Sequence, residues 1–368
     1  MIIGVLREAR GENKIVLLPE HVTTLKGKGI DILVEKDAGS GSFASDSEYT
    51  GAGAKVVSRK EVLEGADMIS SIQPPDDKIP EGKVLCSIFS PLTNREMVDR
   101  LVSEKVTSFS LDMIPRITRA QSVDVLSSMA TVAGYKAVLV AAASLSHFFP
   151  MFMSASGTIK PSRVLILGAG VAGLQALATA RKLGAVVEVF DVRSAVKEEV
   201  ESLGGKFVEV EGAKDDVAAG GYAVEQTEEY RKKQEELIHE RAKNSNVIIT
   251  TAQIPGKKAP VLIRKQTVEE MKPGSVIIDL AASSGGNCEM TRDNETVVHQ
   301  GVTIVGNSNF PSTLPADASK MLGRNYINFL NLMIDKEGQL NLDVNDEIVR
   351  ETCITRNGGI VNERVKSV

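Results

Sequence analysis

The chain has 368 residues, of which 42% are hydrophobic and 4% are aromatic, and its formal net charge at pH 7 is −5. This is enough apolar material for about two domains, whereas the negative charge and the scarce aromatic residues argue against a nucleic-acid surface. No stretch approaches the roughly 18 unbroken apolar residues of a membrane span, and the N-terminus lacks the basic-then-apolar order of a signal peptide. The three cysteines are scattered, so we expect a reducing compartment and no metal site.

Short β-branched runs alternate with helical stretches along most of the chain. In the first half the predicted strands are Ile2–Leu6, Asp31–Glu35, Asp67–Ile72, Val84–Phe89 and Val106–Ser110. In the second half they are Arg163–Leu167, Val186–Phe190, Lys206–Val210, Val247–Thr251, Ser275–Leu280 and Val302–Val305. Near-continuous apolar strands between helices are typical of parallel sheets covered on both faces. The sequence therefore predicts an α/β protein with two Rossmann-like, doubly wound domains.

Two long helices are predicted where the chain changes domain. Ser122–Phe149 is rich in small residues, and Pro315–Met333 again has apolar residues at helical spacing. We expect the chain to cross back in the second helix, so that residues 1–135 and 320–368 form one domain and residues 136–319 the other. The two helices would link the domains and flank a cleft, a preferred place for ligands.

A glycine-rich motif, Gly168-Ala-Gly-Val-Ala-Gly173, follows the strand Arg163–Leu167 and opens a helix, and Asp191 ends the next strand. This spacing and context are typical of dinucleotide binding. Gly168 would permit the tight turn, Gly170 would let the backbone approach a pyrophosphate, and Gly173 would let the helix pack close to the strand. The N–H groups at the start of the helix would hold the phosphates.

Asp191 would accept hydrogen bonds from the adenosine ribose and repel a 2′-phosphate, which favours NAD(H) over NADP(H). Arg193 would pair with a 2′-phosphate, so it weakens this preference. FAD uses the same motif, but usually near an N-terminus. The small residues of Thr250–Pro255 and Asp279–Ser284, each following a strand, would leave room for ribose and nicotinamide. From the residues alone, a turn without a ligand and two ordinary loops remain as alternatives.

Longer segments carry a family resemblance. They are Pro115–Ser128, Ala133–Ala137, Gly168–Gln175, Asp191–Arg193, Glu201–Phe207, Gly220–Ala223 and Gly256–Pro260. On these segments the chain resembles, over essentially its full length, the NAD(H)-binding component of proton-translocating NAD(P) transhydrogenase. The relatives of that family include alanine dehydrogenase.

The resemblance implies that the protein binds NADH and passes hydride directly to NADP⁺ on a separate NADP(H)-binding domain. A membrane-embedded subunit would couple this reaction to proton movement, as in the Si-specific, proton-translocating class of NAD(P)⁺ transhydrogenase. It also implies a homodimer in the cytoplasm, held at the inner face of the cell membrane by its partner subunits. Because the sequence ends at Val368, we expect the membrane component to be a separate polypeptide.

The resemblance also implies site residues. Arg116, Gln121, Asp124 and Ser127 match the family segment around the nicotinamide and its ribose, and Tyr222 matches the tyrosine of a mobile loop. Hydride transfer between two nicotinamides needs alignment and exclusion of water, with no general acid or base. The predicted cofactor-binding residues are Gly168, Gly170, Val171, Ala172, Gly173, Asp191, Val192, Arg193, Tyr222, Thr251, Ala252, Gln253, Leu280 and Ala281.

Each of the four residues that match the family segment around the nicotinamide would have a chemical role there. Arg116 would hold the carboxamide or a phosphate, and Gln121 would bridge to the partner nucleotide. Asp124 and Ser127 lie three residues apart, so we expect them on one helix face, hydrogen-bonding the carboxamide or ribose. Periodicity alone favours a surface ion pair between Arg116 and Asp124 and a packing role for Ser127, and the resemblance reverses this preference. Met129 stands where many relatives have a polar residue, which would change the polarity of the pocket.

Two other functions agree less well with the sequence. In the family, alanine dehydrogenase carries its catalytic lysine and histidine in the segments where Gln73 and Ser90 stand here, and neither replacement transfers a proton at neutral pH. The same objection applies to the more distant saccharopine dehydrogenase. A nucleotide sensor without catalysis would be expected to lack Gln121, which is present.

Overall fold

A computed structural model of the chain describes residues 1–210, 227–253, 256–335 and 338–367. The chain divides into two compact units. Unit 1 is formed by Met1–Met129 together with Pro311–Val368, and unit 2 by Ala130–Phe310. The boundaries at 129/130 and 310/311 lie six and nine residues before the predicted crossings at 135/136 and 319/320.

The described residues form seventeen strands and twelve α-helices. The strands are β1 (Ile2–Val5), β2 (Asp31–Glu35), β3 (Lys55–Val57), β4 (Met68–Ser70), β5 (Val84–Ser87), β6 (Thr107–Ser110), β7 (Phe152–Ser154), β8 (Gly157–Ile159), β9 (Arg163–Leu167), β10 (Val186–Phe190), β11 (Lys206–Val208), β12 (Val247–Thr250), β13 (Val276–Asp279), β14 (Glu295–His299), β15 (Val302–Gly306), β16 (Cys353–Arg356) and β17 (Gly359–Ile360). The helices are α1 (Pro19–Lys26), α2 (Asp46–Gly51), α3 (Arg59–Gly65), α4 (Arg95–Ser103), α5 (Val125–Ser144), α6 (Val171–Lys182), α7 (Lys197–Ser202), α8 (Glu228–Lys243), α9 (Lys265–Glu270), α10 (Pro315–Leu330), α11 (Glu347–Thr352) and α12 (Glu363–Lys366).

Unit 1 is built on an eight-stranded sheet in the order β17-β16-β6-β5-β4-β1-β2-β3. The strands from β6 to β3 are parallel, and β16 joins the edge antiparallel to β6. Because side chains alternate along a strand, Met68 and Cys86 enter one hydrophobic cluster while Ile69 and Leu85 enter another. The sheet therefore has a core on each face.

Unit 2 contains a seven-stranded sheet in the order β11-β10-β9-β12-β13-β15-β14. All neighbours are parallel except β14, which is antiparallel to β15. Val164 and Ile166 enter one buried cluster, and Leu165 and Leu167 enter the other. The order reverses between β9 and β12, so this is the point where a doubly wound sheet places its ligand.

The prediction of two Rossmann-like α/β units is confirmed, and every strand predicted from the sequence is present within a few residues. The cleft and the two linking helices stay predictions. The sequence analysis missed the edge strands β3, β14 and β17, the strand β16 next to β17, and the hairpin of β7 and β8, which pair antiparallel. The predicted helix Ser122–Phe149 is shorter, Val125–Ser144, and Pro315–Met333 ends at Leu330.

Helix α5 bears on the expectation that no segment of the chain spans a membrane. It is the one helix within the described ranges that is long and apolar enough to cross a membrane, although a third of its most apolar window is buried. Its sequence is not an unbroken apolar run, because serines, a threonine and Lys136 interrupt it. Ala137, Val138 and Ala141 are fully buried in a core cluster of unit 2. A Cβ at Gly134 would overlap the Ala172 carbonyl. Such close packing is typical of a core helix.

Candidate functional site

The three glycines of the turn after β9 stand in different surroundings. Gly168 has φ +110°, a conformation that side chains rarely adopt. A Cβ at Gly173 would lie 2.9 Å from the carbonyl carbon of Gly168 and nearer still to its oxygen. A Cβ at Gly170 would meet nothing within 4 Å. Gly168 and Gly173 are therefore demanded by the fold, whereas Gly170 leaves open space in front of the turn.

That open space lies at the start of helix α6. Gly170 is the N-cap residue of this 12-residue helix and contributes no side-chain hydrogen bond to it. The N–H groups of the first turn, including those of Val171 and Ala172, have no partner inside the helix. Together with the helix dipole, they form a site for an anion such as a pyrophosphate. The residues present therefore fit a dinucleotide at this turn.

Asp191 directly follows β10, with a side chain that is only 6% exposed. Its Oδ2 accepts hydrogen bonds from the Ala169 N–H at 2.7 Å and from Arg193 Nη2 at 2.7 Å. Its Oδ1 accepts from the Arg193 backbone N–H and from Arg193 Nε, both at 2.9 Å. Val192, between them, packs against the core. The carboxylate thus joins the end of β10 to the glycine turn, where a ribose is expected.

The loop after β12 is also tied to the glycine turn. The Thr251 N–H donates to the Leu167 carbonyl at 2.9 Å, and its Oγ1 donates to the Gly168 carbonyl at 3.1 Å. The Gln253 side-chain amide donates to Ser284 Oγ in the loop after β13. The loops after β9, β12 and β13 therefore form one hydrogen-bonded edge at the carboxyl ends of neighbouring strands.

A fully buried carboxylate, which the sequence analysis did not single out, organises these loops. Asp279 accepts hydrogen bonds from Thr250 Oγ1, Thr291 Oγ1 and the N–H groups of Ala281, Asn287 and Cys288, at 2.7–3.0 Å. Asn287 in turn accepts from the Ala252 N–H at 3.0 Å and donates to the Ala252 carbonyl at 2.8 Å. The Leu280 N–H donates to the Thr250 carbonyl at 3.0 Å. Asp279 and Asn287 thus fix the backbone of predicted cofactor-binding residues.

The predicted catalytic residues lie in unit 1, in the segment before and at the start of α5. Arg116 and Gln121 are exposed, and Gln121 ends the short 3₁₀ turn Thr118–Ala120. Asp124 precedes the helix and does not share a helix face with Ser127 as predicted. Instead, its carboxylate accepts from the Ser127 N–H at 2.9 Å and from Ser127 Oγ at 2.6 Å. Asp124 therefore caps the first turn of α5.

Other residues of unit 1, missed in the sequence analysis, anchor this segment. Arg119 makes a two-pronged contact with Asp346, at 2.7 and 3.0 Å. The side-chain amides of Asn325 and Asn328 both donate to the Ser122 carbonyl, at 2.9 and 3.0 Å. No local pattern reveals these contacts, because the partners are more than 200 residues apart. Gln121 is therefore exposed on a segment held at both sides.

Met129 is partly buried against the core of unit 1. Gln73 and Ser90 lie in loops after β4 and β5. The backbone N–H of Gln73 donates to the Glu8 carboxylate at 3.1 Å, and that of Ile72 does so at 2.6 Å. Burial raises the pKa of Glu8 to about 7, although these two N–H groups oppose the shift.

The predicted residues thus form two sets, one in each unit. That the two sets meet around one nucleotide stays a prediction. Tyr222 lies outside the described residues. Within the described ranges, no group of three or more His, Cys, Asp or Glu side chains is arranged to hold a metal ion.

Comparison with known proteins defines the class. The family model of the alanine dehydrogenase/PNT N-terminal domain matches residues 4–133, and that of the C-terminal domain matches residues 137–363. The chain therefore belongs to the alanine dehydrogenase/PNT family, which consists of nicotinamide-nucleotide-binding oxidoreductases with a Rossmann-like fold.

Within this family, the chain is similar to transhydrogenase subunits. A Rhodospirillum rubrum chain, named as the first part of NAD(P) transhydrogenase subunit alpha, is 47% identical over 376 residues, and 98% of each chain is covered. The crystal structure of transhydrogenase from Sinorhizobium meliloti is 39% identical, with a TM-score of 0.89 and coverage of 98% of this chain and 100% of that one. An alanine dehydrogenase from Staphylococcus haemolyticus is 28% identical, over 91% of this chain and 88% of its own.

Proposed function

We propose that this chain is the NAD(H)-binding subunit of a proton-translocating NAD(P) transhydrogenase. It would pass hydride directly from NADH to NADP⁺ held on a partner domain. The observation that carries the proposal is the full-length likeness to a chain of a transhydrogenase alpha subunit, at 47% identity. The glycine turn, the open start of α6 and the carboxylate of Asp191 support NAD(H) as the nucleotide on this chain.

The residues of this chain would bind and align. The first turn of α6 would hold the pyrophosphate, and Asp191 would hold the adenosine ribose. Arg116 and Gln121, exposed on their anchored segment, would contact the nicotinamide end and the incoming partner nucleotide. Ser127 would contribute its hydroxyl from the capped start of α5. The bound dinucleotide supplies the hydride, so the protein needs no proton donor or acceptor and gains rate by alignment.

The rival function is an amino-acid dehydrogenase. Oxidising an amino acid requires a proton acceptor near the substrate. The resemblance places the catalytic lysine and histidine of alanine dehydrogenase in the segments where this chain has Gln73 and Ser90. Gln73 is an amide and Ser90 an alcohol, and neither accepts a proton at neutral pH. The identity to an alanine dehydrogenase, 28%, is also well below that to the transhydrogenase subunit. Both observations favour a second nucleotide over a small-molecule substrate.

The proposal includes partners. One is a domain that binds NADP(H), and another is a membrane-embedded subunit that holds this chain at the inner face of the cell membrane and couples hydride transfer to proton movement. The proposed reaction class is the Si-specific, proton-translocating one.

A third partner is a second copy of this chain. The hairpin of β7 and β8 exposes Phe152, Met153 and Ile159, at 46%, 74% and 48%, and a two-stranded hairpin has little stability alone. Covering this apolar hairpin would stabilise a homodimer.

Light scattering tests the dimer. We expect Phe152→Ser to shift the wild-type dimer toward monomer, and Phe43→Ser to leave it unchanged. Phe43 is the matched control because it is also an exposed phenylalanine, at 83%, in unit 1. A monomeric wild-type chain, or a Phe152→Ser variant as dimeric as wild type, would remove the hairpin from the proposal.

A mixing assay tests the reaction. The chain is combined with NADH, an acetylpyridine analogue of NAD⁺ and a separately prepared NADP(H)-binding transhydrogenase domain charged with NADP⁺. We expect cyclic reduction of the analogue that requires both proteins. Gln121→Ala should lower the rate while NADH binding persists. Absence of exchange, together with alanine-dependent reduction of NAD⁺ by the chain alone, would replace this proposal with the dehydrogenase.

A further inference from the structure

The carboxylate of Asp191 is already saturated by the protein's own donors. A carboxylate offers about four lone-pair positions, two on each oxygen. Oδ1 accepts two hydrogen bonds from Arg193, through the backbone N–H and Nε, both at 2.9 Å. Oδ2 accepts from the Ala169 N–H and from Arg193 Nη2, both at 2.7 Å. A ligand that donates to this carboxylate must therefore displace one or more of these donors.

The donors differ in how readily they leave. The N–H groups of Ala169 and Arg193 belong to the backbone of the glycine turn and of the loop after β10, so they stay as long as the fold does. Nε and Nη2 lie at the end of a side chain that is 25% exposed, whereas the side chain of Asp191 is 6% exposed. The guanidinium is therefore the donor that a ligand can displace without a change in the backbone.

The guanidinium fork has the geometry of a vicinal diol. Nε occupies one position on Oδ1, and Nη2 occupies one position on Oδ2. Two adjacent hydroxyls of a ribose would donate to the same pair of oxygens, one each. Withdrawal of the fork would free the one position per oxygen that a diol needs.

We propose that Arg193 is a specificity-determining residue whose guanidinium occupies the ribose-diol position of Asp191 in the nucleotide-free chain and leaves when the adenosine ribose binds. The proposal rests on the proposed NAD(H) site. It makes Arg193 a competitor for the ribose and a counter-charge for Asp191. A 2′-phosphate is then repelled less strongly than it would be by an uncompensated carboxylate.

Affinity titrations by reduced-nicotinamide fluorescence test this role. Because a partly exposed ion pair must be broken before NADH binds, Arg193→Ala should lower the Kd for NADH by about three- to tenfold. Arg193→Lys keeps the charge but cannot form the two-pronged contact, so it should also tighten NADH binding. The Kd ratio of NADPH to NADH should rise by about tenfold in Arg193→Ala and change less in Arg193→Lys.

The matched control is Arg181→Ala, which removes the same charge from the exposed last turn of α6 in the same unit. It should change neither Kd. Circular dichroism melts establish that each variant is folded, and the lysine variant serves if the alanine variant is not. Folded variants that bind NADH as weakly as or more weakly than wild type would overturn the competitor role while leaving the proposed function intact. A wild-type chain that binds no NADH would overturn both.

Discussion

Gly170 and Gly173 stand three residues apart in one turn, yet alanine should affect different properties at the two positions. At Gly170 it should weaken NADH binding, and at Gly173 it should lower the stability of the fold. At Gly173, a Cβ would lie 2.9 Å from the carbonyl carbon of Gly168 and nearer to its oxygen, whereas ordinary contacts begin at 3.4 Å. Helix α6 would have to move away from the turn, and overpacking of this kind costs about 1–3 kcal/mol. The better helix propensity of alanine offsets at most about 1 kcal/mol of this. Gly173→Ala should therefore destabilise unit 2.

At Gly170, the added methyl group would meet no protein atom within 4 Å. The residue has φ −78° and ψ −172°, which alanine adopts without strain. Alanine is a poorer N-cap than glycine by a few tenths of a kcal/mol or more, and the reduced freedom of the unfolded chain returns roughly 0.4–1 kcal/mol. Stability should stay within about 0.5 kcal/mol of wild type. The methyl group would, however, stand where the pyrophosphate approaches, so NADH binding should weaken more than about tenfold.

Urea unfolding followed by circular dichroism measures the first quantity, since the chain contains no tryptophan, and isothermal titration with NADH measures the second. The expected pattern is a stable Gly170→Ala variant that binds poorly and a destabilised Gly173→Ala variant. Equal unfolding midpoints for the two variants, or full NADH affinity in Gly170→Ala, would refute the assignment of separate tasks to the two glycines.

Three further predictions concern other regions of the chain. Burial raises the pKa of Glu8 from 4.5 to about 7, so between these values the folded chain keeps a proton that the unfolded chain has lost, and stability falls as the pH rises. Glu8→Gln removes this dependence of stability on pH. In urea titrations, the unfolding free energy of the variant minus that of wild type should therefore grow by on the order of 1–3 kcal/mol from pH 5 to pH 8. If this free-energy difference stayed constant with pH, the raised pKa of Glu8 would be contradicted. Asn287→Ala should weaken NADH binding about tenfold by calorimetry, because the loop after β12 loses its hydrogen bonds; unchanged affinity would show that the loop is held otherwise. Gly323→Ala would place a Cβ 2.9 Å from Cγ of His21, so it should lower the melting temperature by several degrees, whereas Gly51→Ala, with open space, should not.

The buried strands and the glycine turn were predictable because their signals are local. Val247–Thr250 is an unbroken β-branched run, and burial on both faces of a sheet requires such runs. Gly168 reveals its turn because only glycine takes φ +110° readily. Strand β14, by contrast, is largely exposed, so its residues Glu295–His299 carry no continuous apolar run. Its antiparallel direction follows from pairing with β15 alone, which no local pattern records.

The site was less predictable than the fold for a related reason. Asp279 ends an apolar strand, and its five donors come from positions 250, 281, 287, 288 and 291, which only folding brings together. Likewise, Asp124 was predicted on a helix face, but its side chain caps the helix because α5 begins at Val125. A shift of the helix start by a few residues is enough to change what an aspartate does.

The composition of unit 1 from both ends of the chain sets the order in which the protein can be completed on the ribosome. Unit 2 is one continuous stretch, Ala130–Phe310, and can close its core as soon as that stretch has emerged. Unit 1 must wait, because Tyr326 and Phe329 of its largest cluster and the strand β16, which pairs with β6, are synthesised after unit 2. Until then β6 keeps an unpaired edge, which is a surface that other nascent chains can join. Unit 1 is therefore begun before unit 2 and can be finished only after it, with the edge of β6 open to pairing in the meantime.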